Sequence, residues 1–149
     1  MSEQETQAVF AIEKLYVKDL SVEVPHAPQI FLERETPEIG VQLSTQSGPV
    51  ADDIFETIIK VTVTAKLGEK IMFLIEVSQA GIFRIAGISA DQLEPLLGIA
   101  CPQTVFPYLR ETVSDLIGRS GFPPVMLNPV NFEVLYLQQK QAGDSGTAN

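Results

Sequence analysis

The segment that decides the fold is "IFETIIKVTVTAKLGEKIMFLIEVSQAGIF", residues 54–83. From Ile54 to Lys66 the side chains alternate between apolar and polar, which is the period of a strand with one buried face. Gly68, in "KLGEK", supplies the positive φ that a short hairpin loop needs. Since the alternation resumes after this glycine, the segment predicts two long antiparallel strands joined by a hairpin.

The second strand of this hairpin has an unusual water-facing side. Its odd-numbered residues, 71–77, are apolar and can line a core, while Met72, Leu74 and Glu76 point the other way. Large apolar side chains left in water often mark an interface. Met72 and Leu74 are therefore candidates for a docking face, but burial under a helix or a crossover segment would explain them equally well.

The chain before the hairpin predicts two more strands. The first covers roughly residues 9–24 and alternates imperfectly: Ile12, Tyr16, Leu20 and Val22 share one face with Lys14 and Lys18, and Leu15 and Val17 fall on the other. Prolines 25, 28 and 37 favour an extended crossover, because proline fixes φ and removes a donor. A strand restarts over residues 40–45, and "SGPVADD" is expected to form a turn.

The helices follow the strands. "SADQ", residues 89–92, has the spacing of a capping box, and residues 98–102 interrupt the helical pattern after it. Pro102 suits the start of a longer helix that ends near Gly118, and Asn131 can cap a last helix. Strands first and helices second predict a single α+β domain over residues 1–141, and the small, polar segment 142–149 is expected to be disordered.

Composition limits the partners. The chain has 149 residues, a net charge of −9 and a pI near 4.5, so nucleic acid and anionic lipid are disfavoured and basic proteins are favoured. No apolar run approaches the roughly 20 residues of a membrane helix. The N-terminal "MSEQETQAVF" is acidic where a signal peptide is basic, which predicts a cytoplasmic protein.

The sequence contains no convincing catalytic, metal or cofactor site. His26, in "PHAP", is the one histidine and has no triad partners at a recognisable spacing. Asp52 and Asp53 are adjacent and suit a turn, and Cys101 lies among apolar residues that favour a buried thiol. We therefore expect a binding protein that needs no cofactor, rather than an enzyme.

Acidic residues surround the unusual strand face. Asp19 and Glu23 lie two pleats apart on one strand, and Glu76 lies two residues beyond Leu74 on another. If both strands turn these residues to the same side, they form an acidic surface with an apolar centre. The pattern alone leaves open whether this surface docks a partner or is simply covered.

The chain resembles the SecB family of bacterial protein-export chaperones over residues 10–143. The resemblance rests on "YVKDLSVEVPHAP", "VADDIFETIIKVTVTAKLGEK", "FLIEVSQAGIFRIAGI" and "CPQTVFPYLRETVSDLIGRSGFPPVMLNPVNF". It implies a homotetramer, a dimer of dimers, that holds precursor proteins unfolded without ATP and passes them to SecA, the translocation ATPase. The tail of SecA is basic and carries its own zinc. The alternative is a SecB-like holdase or interaction module that serves a toxin–antitoxin system.

The resemblance also implies two binding sites. SecA docking maps to Asp19, Glu23 and Glu76, with Leu74 as the apolar contact. The client groove lies between the crossover, the second strand and the last helix, which here gives Ile30, Phe31, Val41, Leu43, Leu135 and Tyr136, with ordinary core burial as the alternative for each. Two features depart from the family: Glu35 stands where tryptophan is common, and the tail carries only one acid, Asp144.

Overall fold

Four antiparallel strands form one sheet, and the helices follow them in the chain. The computed structural model describes residues 7–147, with side chains as far as Ala142. The spatial order of the strands is β1-β4-β3-β2. This architecture confirms the predicted α+β fold. The elements are β1 Val9–Glu23, β2 Glu38–Ala51, β3 Ile54–Leu67, β4 Lys70–Ala86, α1 Ala90–Pro95, α2 Cys101–Arg119 and α3 Phe132–Thr147.

The central hairpin of β3 and β4 forms as the alternation predicts. Leu67 pairs with Lys70, so the loop between the strands has two residues, and Gly68 has a φ of 61°. The odd-numbered side chains of β3 and those of β4 from Phe73 onwards face the same side, and those of Ile59, Val61 and Ile75 are fully buried. We call this side of the sheet the helix face and the opposite side the open face.

Helix α2 covers the middle of the helix face, over β3 and β4. Its buried residues recur every four positions, which places them on one stripe of the helix: Val105, Leu109, Val113 and Ile117. The Thr112 hydroxyl donates to the Gln79 side chain at 3.3 Å, so this polar group in the core has a partner. Cys101 is fully buried, as predicted, and burial raises the pKa of its thiol to about 11.

Two bulges in β1 overturn the predicted face assignment of that strand. Glu13 and Lys18 are skipped in the pairing with β4, and each extra residue reverses which face the following residues occupy. Tyr16 therefore lies on the open face, not on the apolar face to which simple alternation assigned it. Six large apolar side chains of β1 consequently share the helix face: Phe10, Ile12, Leu15, Val17, Leu20 and Val22.

A third bulge, in β4, determines that the side chain of Met72 is buried. Ala65 pairs with Phe73 and Lys66 pairs with Ile71, so Met72 has no partner in β3. Its side chain is buried in the same core cluster as Phe73 and is only 7% exposed. The expectation that Met72 belongs to an exposed docking face is therefore wrong, whereas Leu74 beyond the bulge is partly exposed on the open face.

The turns and helix ends differ from the prediction in detail. Strand β2 continues to Ala51, which shortens the predicted turn to Asp52 and Asp53, and Asp53 takes a φ of 61°. The expected interruption at 98–102 is instead a wide π-helical turn, Leu96–Ala100, that leads directly into α2. The capping box at Ser89 is absent as a side-chain bond, although α1 begins directly after that residue.

The last helix begins where predicted. The Asn131 side-chain oxygen accepts a hydrogen bond from the backbone N–H of Val134 at 3.0 Å, which confirms the predicted cap. The backbone of α3 is described to Thr147, and residues 148–149 of the segment expected to be disordered lie outside the described residues. Within residues 7–147, no helix is long and apolar enough to cross a membrane.

We predict that Gly81→Ala destabilises the fold by about 1–3 kcal/mol, because it overfills a close contact between sheet and helix. A methyl group at Gly81 would lie 3.0 Å from the Phe83 ring, 3.1 Å from Val105 and 3.2 Å from Leu15. Gly48→Ala is the matched control in β2, since nothing lies within 4 Å of the added methyl. Urea unfolding measures both variants, and equal midpoints would contradict the prediction.

Candidate functional site

The open face brings together the four residues expected to dock a partner. Glu23 pairs with Leu74, and Asp19 pairs with Ser78, so all of them lie on one face of neighbouring strands. Glu76 is the diagonal neighbour of both Asp19 and Glu23, a relation that places side chains about 7–8 Å apart. We call Asp19, Glu23 and Glu76 the acidic patch; Leu74 lies at its edge.

The carboxylates of the acidic patch are available to pair with a cation of a binding partner. Among the residues that the structure describes, none of its three carboxylates takes part in an ion pair. Two cations of the same face are held elsewhere: Lys18 pairs with Glu56 at 3.0 Å, and Arg84 pairs with Glu13 at 3.1 Å. Glu76 lies within about one Debye length of each of the other two carboxylates, so the fields of neighbouring carboxylates add on a cation that approaches Glu76.

Glu56 is the centre of a hydrogen-bonded cluster beside this patch. The Tyr16 hydroxyl donates to Glu56 Oε2, and Lys18 Nζ donates to both carboxylate oxygens, at 3.1 and 3.0 Å. The bond from Tyr16, followed by the bond and charge of Lys18, lowers the pKa of Glu56. The same carboxylate raises the pKa of Tyr16 to about 12, with help from burial. We call Tyr16, Lys18 and Glu56 the Glu56 cluster.

An apolar groove runs along the helix face at β2. Val41 and Leu43 lie on its floor with Phe106 of α2, and the segment 125–130 forms its opposite wall. The volume of the groove is about 440 Å³. Val41 is 48% exposed, although its partner Val63 is fully buried, so the hydrophobic surface continues from the core to the open edge.

The crossover residues have different surroundings. Ile30 is 2% exposed and belongs to the core, so it offers no surface here. Phe31 stacks on Phe122 and Phe122 packs against Phe73, each with ring centroids 5.1 Å apart, which leaves Phe31 half-exposed at the end of an aromatic row. Glu35 is exposed.

Leu135 and Tyr136 lie one turn beyond the end of the groove. Phe106 lines the groove and packs edge-on against Phe132, the first residue of α3, at 5.7 Å. The ring of Tyr136 rests directly on Gly98, where a side chain would collide with it. Both residues are partly exposed, so the structure places them next to the groove rather than inside it.

Sequence reasoning missed part of this groove. Ile39, Phe106 and Met126 line it, and Met126 is 67% exposed. The only signal for Met126 was a run of apolar residues between prolines in "GFPPVMLNPVNF", a segment classed simply as a loop. Ile39 fell in the part of β2 that the predicted strand did not include.

Comparison with known proteins identifies the family. The family model described as preprotein translocase subunit SecB matches residues 3–143. The chain belongs to the SecB family. Two curated relatives named protein-export protein SecB support this: that of Thiobacillus denitrificans is 62% identical over 91% of this chain and 90% of its own, and that of Nitrosomonas eutropha is 58% identical over 95% and 89%.

Membership gives the general function. The protein is a SecB-family chaperone of protein export, and SecB is a family of chaperones rather than enzymes. A solved SecB-like chaperone of Mycobacterium tuberculosis, in complex with a ChAD peptide from the HigA1 antitoxin, matches with a TM-score of 0.64 over 81% of this chain and 87% of that one. Because the two sequences are 17% identical, this likeness establishes the SecB fold alone.

We predict that Glu56→Gln lowers the pKa of Tyr16 from about 12 towards the ordinary value of 10.0, because the hydrogen bond from Tyr16 to the carboxylate and the charge of that carboxylate, which both oppose phenolate formation, are lost. Since the folded-state pKa lies above the unfolded value, the bond stabilises the protein below pH 10 and is lost as the pH rises through about 12. Ultraviolet titration measures the phenol. The absorbance step near pH 12 should disappear in Tyr16→Phe. If Glu56→Gln leaves that step at the same pH, the prediction is contradicted.

Proposed function

We propose that this protein is an ATP-independent, cytoplasmic holdase that binds unfolded precursors in the groove and hands them to SecA through the acidic patch. The observation that carries the proposal is the chemistry of the two faces of one sheet. One face bears an open apolar groove along β2, and the other bears three carboxylates without ion-pair partners among the described residues, next to Leu74.

The groove suits an extended, unfolded chain. Ile39, Val41 and Leu43 alternate along β2 and face the groove, so they match the alternate side chains of an extended client. Strand β2 is at the edge of the sheet and has no charged residue or proline from Ile39 to Gly48, so its backbone over that stretch offers an unprotected hydrogen-bonding edge. Phe31, Leu135 and Tyr136 extend the apolar contact beyond the groove.

Such binding is weak for each site and selective for unfolded chains. Burial of about 500 Å² of apolar client surface supplies a gross free energy on the order of 12 kcal/mol, much of which is lost to ordering the client. Several grooves on one assembly raise occupancy through effective concentration when the client is long enough to reach them. A folded protein exposes little continuous apolar chain and is therefore ignored.

The proposed assembly is a homotetramer, a dimer of dimers. The helix face of β1 supports this, because Ile12, Val17 and Leu20 on that face are 42–48% exposed. A continuous apolar strip of this kind on one edge strand suits burial against a second copy.

The runner-up function is service to a toxin–antitoxin pair. The SecB-like chaperone of Mycobacterium tuberculosis was solved with a peptide from an antitoxin, but it is 17% identical to this chain. The curated relatives at 58% and 62% identity are named for protein export. Binding of the SecA tail separates the two functions, because an antitoxin chaperone has no need of it.

We predict that Glu76→Lys weakens binding of the zinc-loaded SecA tail peptide by at least tenfold, about 1.4 kcal/mol or more. Glu76 is the diagonal neighbour of both other acids, so a cation at this position opposes the whole patch. Calorimetry with the full-length chaperone measures the affinity. Glu94→Lys, which changes the charge equally at an exposed position of α1, is the matched control and should bind as the wild type does.

Equal affinity of Glu76→Lys and the wild type would refute the docking assignment. Light scattering of both variants checks the assembly, for which we expect four chains of 16.3 kDa each. A stable monomer at micromolar concentration would overturn the tetramer while leaving the docking result interpretable.

We predict that Val41→Asp weakens capture of an unfolded precursor several-fold, because it places a charge on the apolar floor of the groove. Gln42→Asp is the matched control: it adds the same side chain one residue further along the same edge strand, on the open face. Suppression of precursor aggregation measures capture. Loss of capture in both variants, or in neither, would contradict the assignment of the groove.

A further inference from the structure

The open face carries cations as well as acids, so the acidic patch depends on where the cations are held. The positively charged residues of this face are Lys14, Lys18, Lys60, Lys66 and Arg84. Lys18 is the one adjacent in sequence to Asp19. Neighbouring residues of a regular strand point to opposite faces, but the bulge at Lys18 places both side chains on the open face.

Lys18 is directed away from Asp19 by Glu56. The Lys18 ammonium is bonded to both oxygens of the Glu56 carboxylate, across β4 and towards the N-terminal end of β1. Ala80, which is fully buried, lies on the intervening strand between Tyr16 and Ile58, so only a small side chain lies beneath this bridge. The Tyr16 hydroxyl bonds the same carboxylate and fixes its orientation.

We infer that Glu56 is a positioning residue for docking: by holding Lys18, it prevents this cation from neutralising Asp19 and keeps the acidic patch open to a cationic partner. The inference rests on the proposed SecA docking function and deepens it. The partner chemistry that follows is an extended basic segment with an apolar side chain for Leu74, since one hydrophobic position stands beside three carboxylates that have no ion-pair partner among the described residues.

Without Glu56, Lys18 has a new partner within reach. Released from the pair, its long side chain can turn to the adjacent carboxylate of Asp19, and an intramolecular pair then competes with the partner's cation. Exposed ion pairs of this kind are worth a factor of about two to five in affinity. The expected result is therefore a two- to fivefold weaker affinity of Glu56→Gln for the SecA tail peptide, with a smaller dependence on salt.

A variant that conserves the charge of Glu56 isolates its positioning role. Glu56→Asp keeps the negative charge but shortens the side chain, so it cannot span to Lys18 as Glu56 does. We expect Glu56→Asp to bind the peptide more weakly than the wild type does. If only the net charge of the protein mattered, Glu56→Asp would bind the peptide with the affinity of the wild type.

Rescue tests whether the effect passes through Lys18. In the Glu56→Gln background, Lys18→Gln should restore wild-type affinity, because it removes the competing cation. Lys14→Gln removes the same charge from the same strand and face, but at a position about 13 Å along the sheet from Asp19, and should not restore it.

The outcomes separate this inference from the docking proposal. Wild-type affinity in both Glu56 variants, or equal rescue by Lys14→Gln and Lys18→Gln, would refute the role of Glu56 while Glu76→Lys still weakens binding. If the wild type fails to bind the peptide, or if Glu76→Lys has no effect, the docking surface itself is wrong. Precursor capture by every variant verifies that the sheet is intact.

Discussion

The constraint on which this structure depends is that a strand residue belongs to one face of the sheet or the other, with a period of two. Each binding surface is a set of side chains on one face of the sheet, so a shift of one residue in the register of a strand would move its side chains to the opposite face. Four bulges apply such shifts locally, and three of them, at Glu13, Lys18 and Met72, affect these surfaces and the core beneath them. They keep Leu15, Val17, Leu20 and Val22 on the helix face with Phe10 and Ile12, and they move Met72 into the core.

The bulges also decide the electrostatics of the open face. Without the bulge at Glu13, regular alternation would turn Leu15 and Val17 to the open face and Lys14 to the helix face, against the apolar core. Burial of an unpaired ammonium costs several kcal/mol, so that register is strongly disfavoured. The bulges instead place two pairs of adjacent charged residues on the open face: Glu13 with Lys14, and Lys18 with Asp19.

The sequence predicted regular elements well and irregular ones badly. Strand β3 alternates cleanly and the stripe of α2 recurs every four residues, so local periodicity located both. In the sequence, the bulges of β1 were indicated only by lysines at positions where alternation predicts apolar residues. Without the pairing to β4, these lysines could not be distinguished from ordinary irregularity in the pattern. The groove depends on Phe106 and Met126 meeting β2, a tertiary contact that no local pattern contains.

One sheet holds the two proposed surfaces in a fixed relation. Val41 in the groove pairs with Val63, which pairs with Ile75, the neighbour in sequence of Glu76. Both intervening side chains are fully buried, and a close-packed row of this kind resists deformation. A client on the helix face therefore leaves the acidic patch on the other face unobstructed. Since added salt screens charge pairing but does not weaken apolar burial, a rise in ionic strength should release the proposed SecA partner without releasing the proposed client.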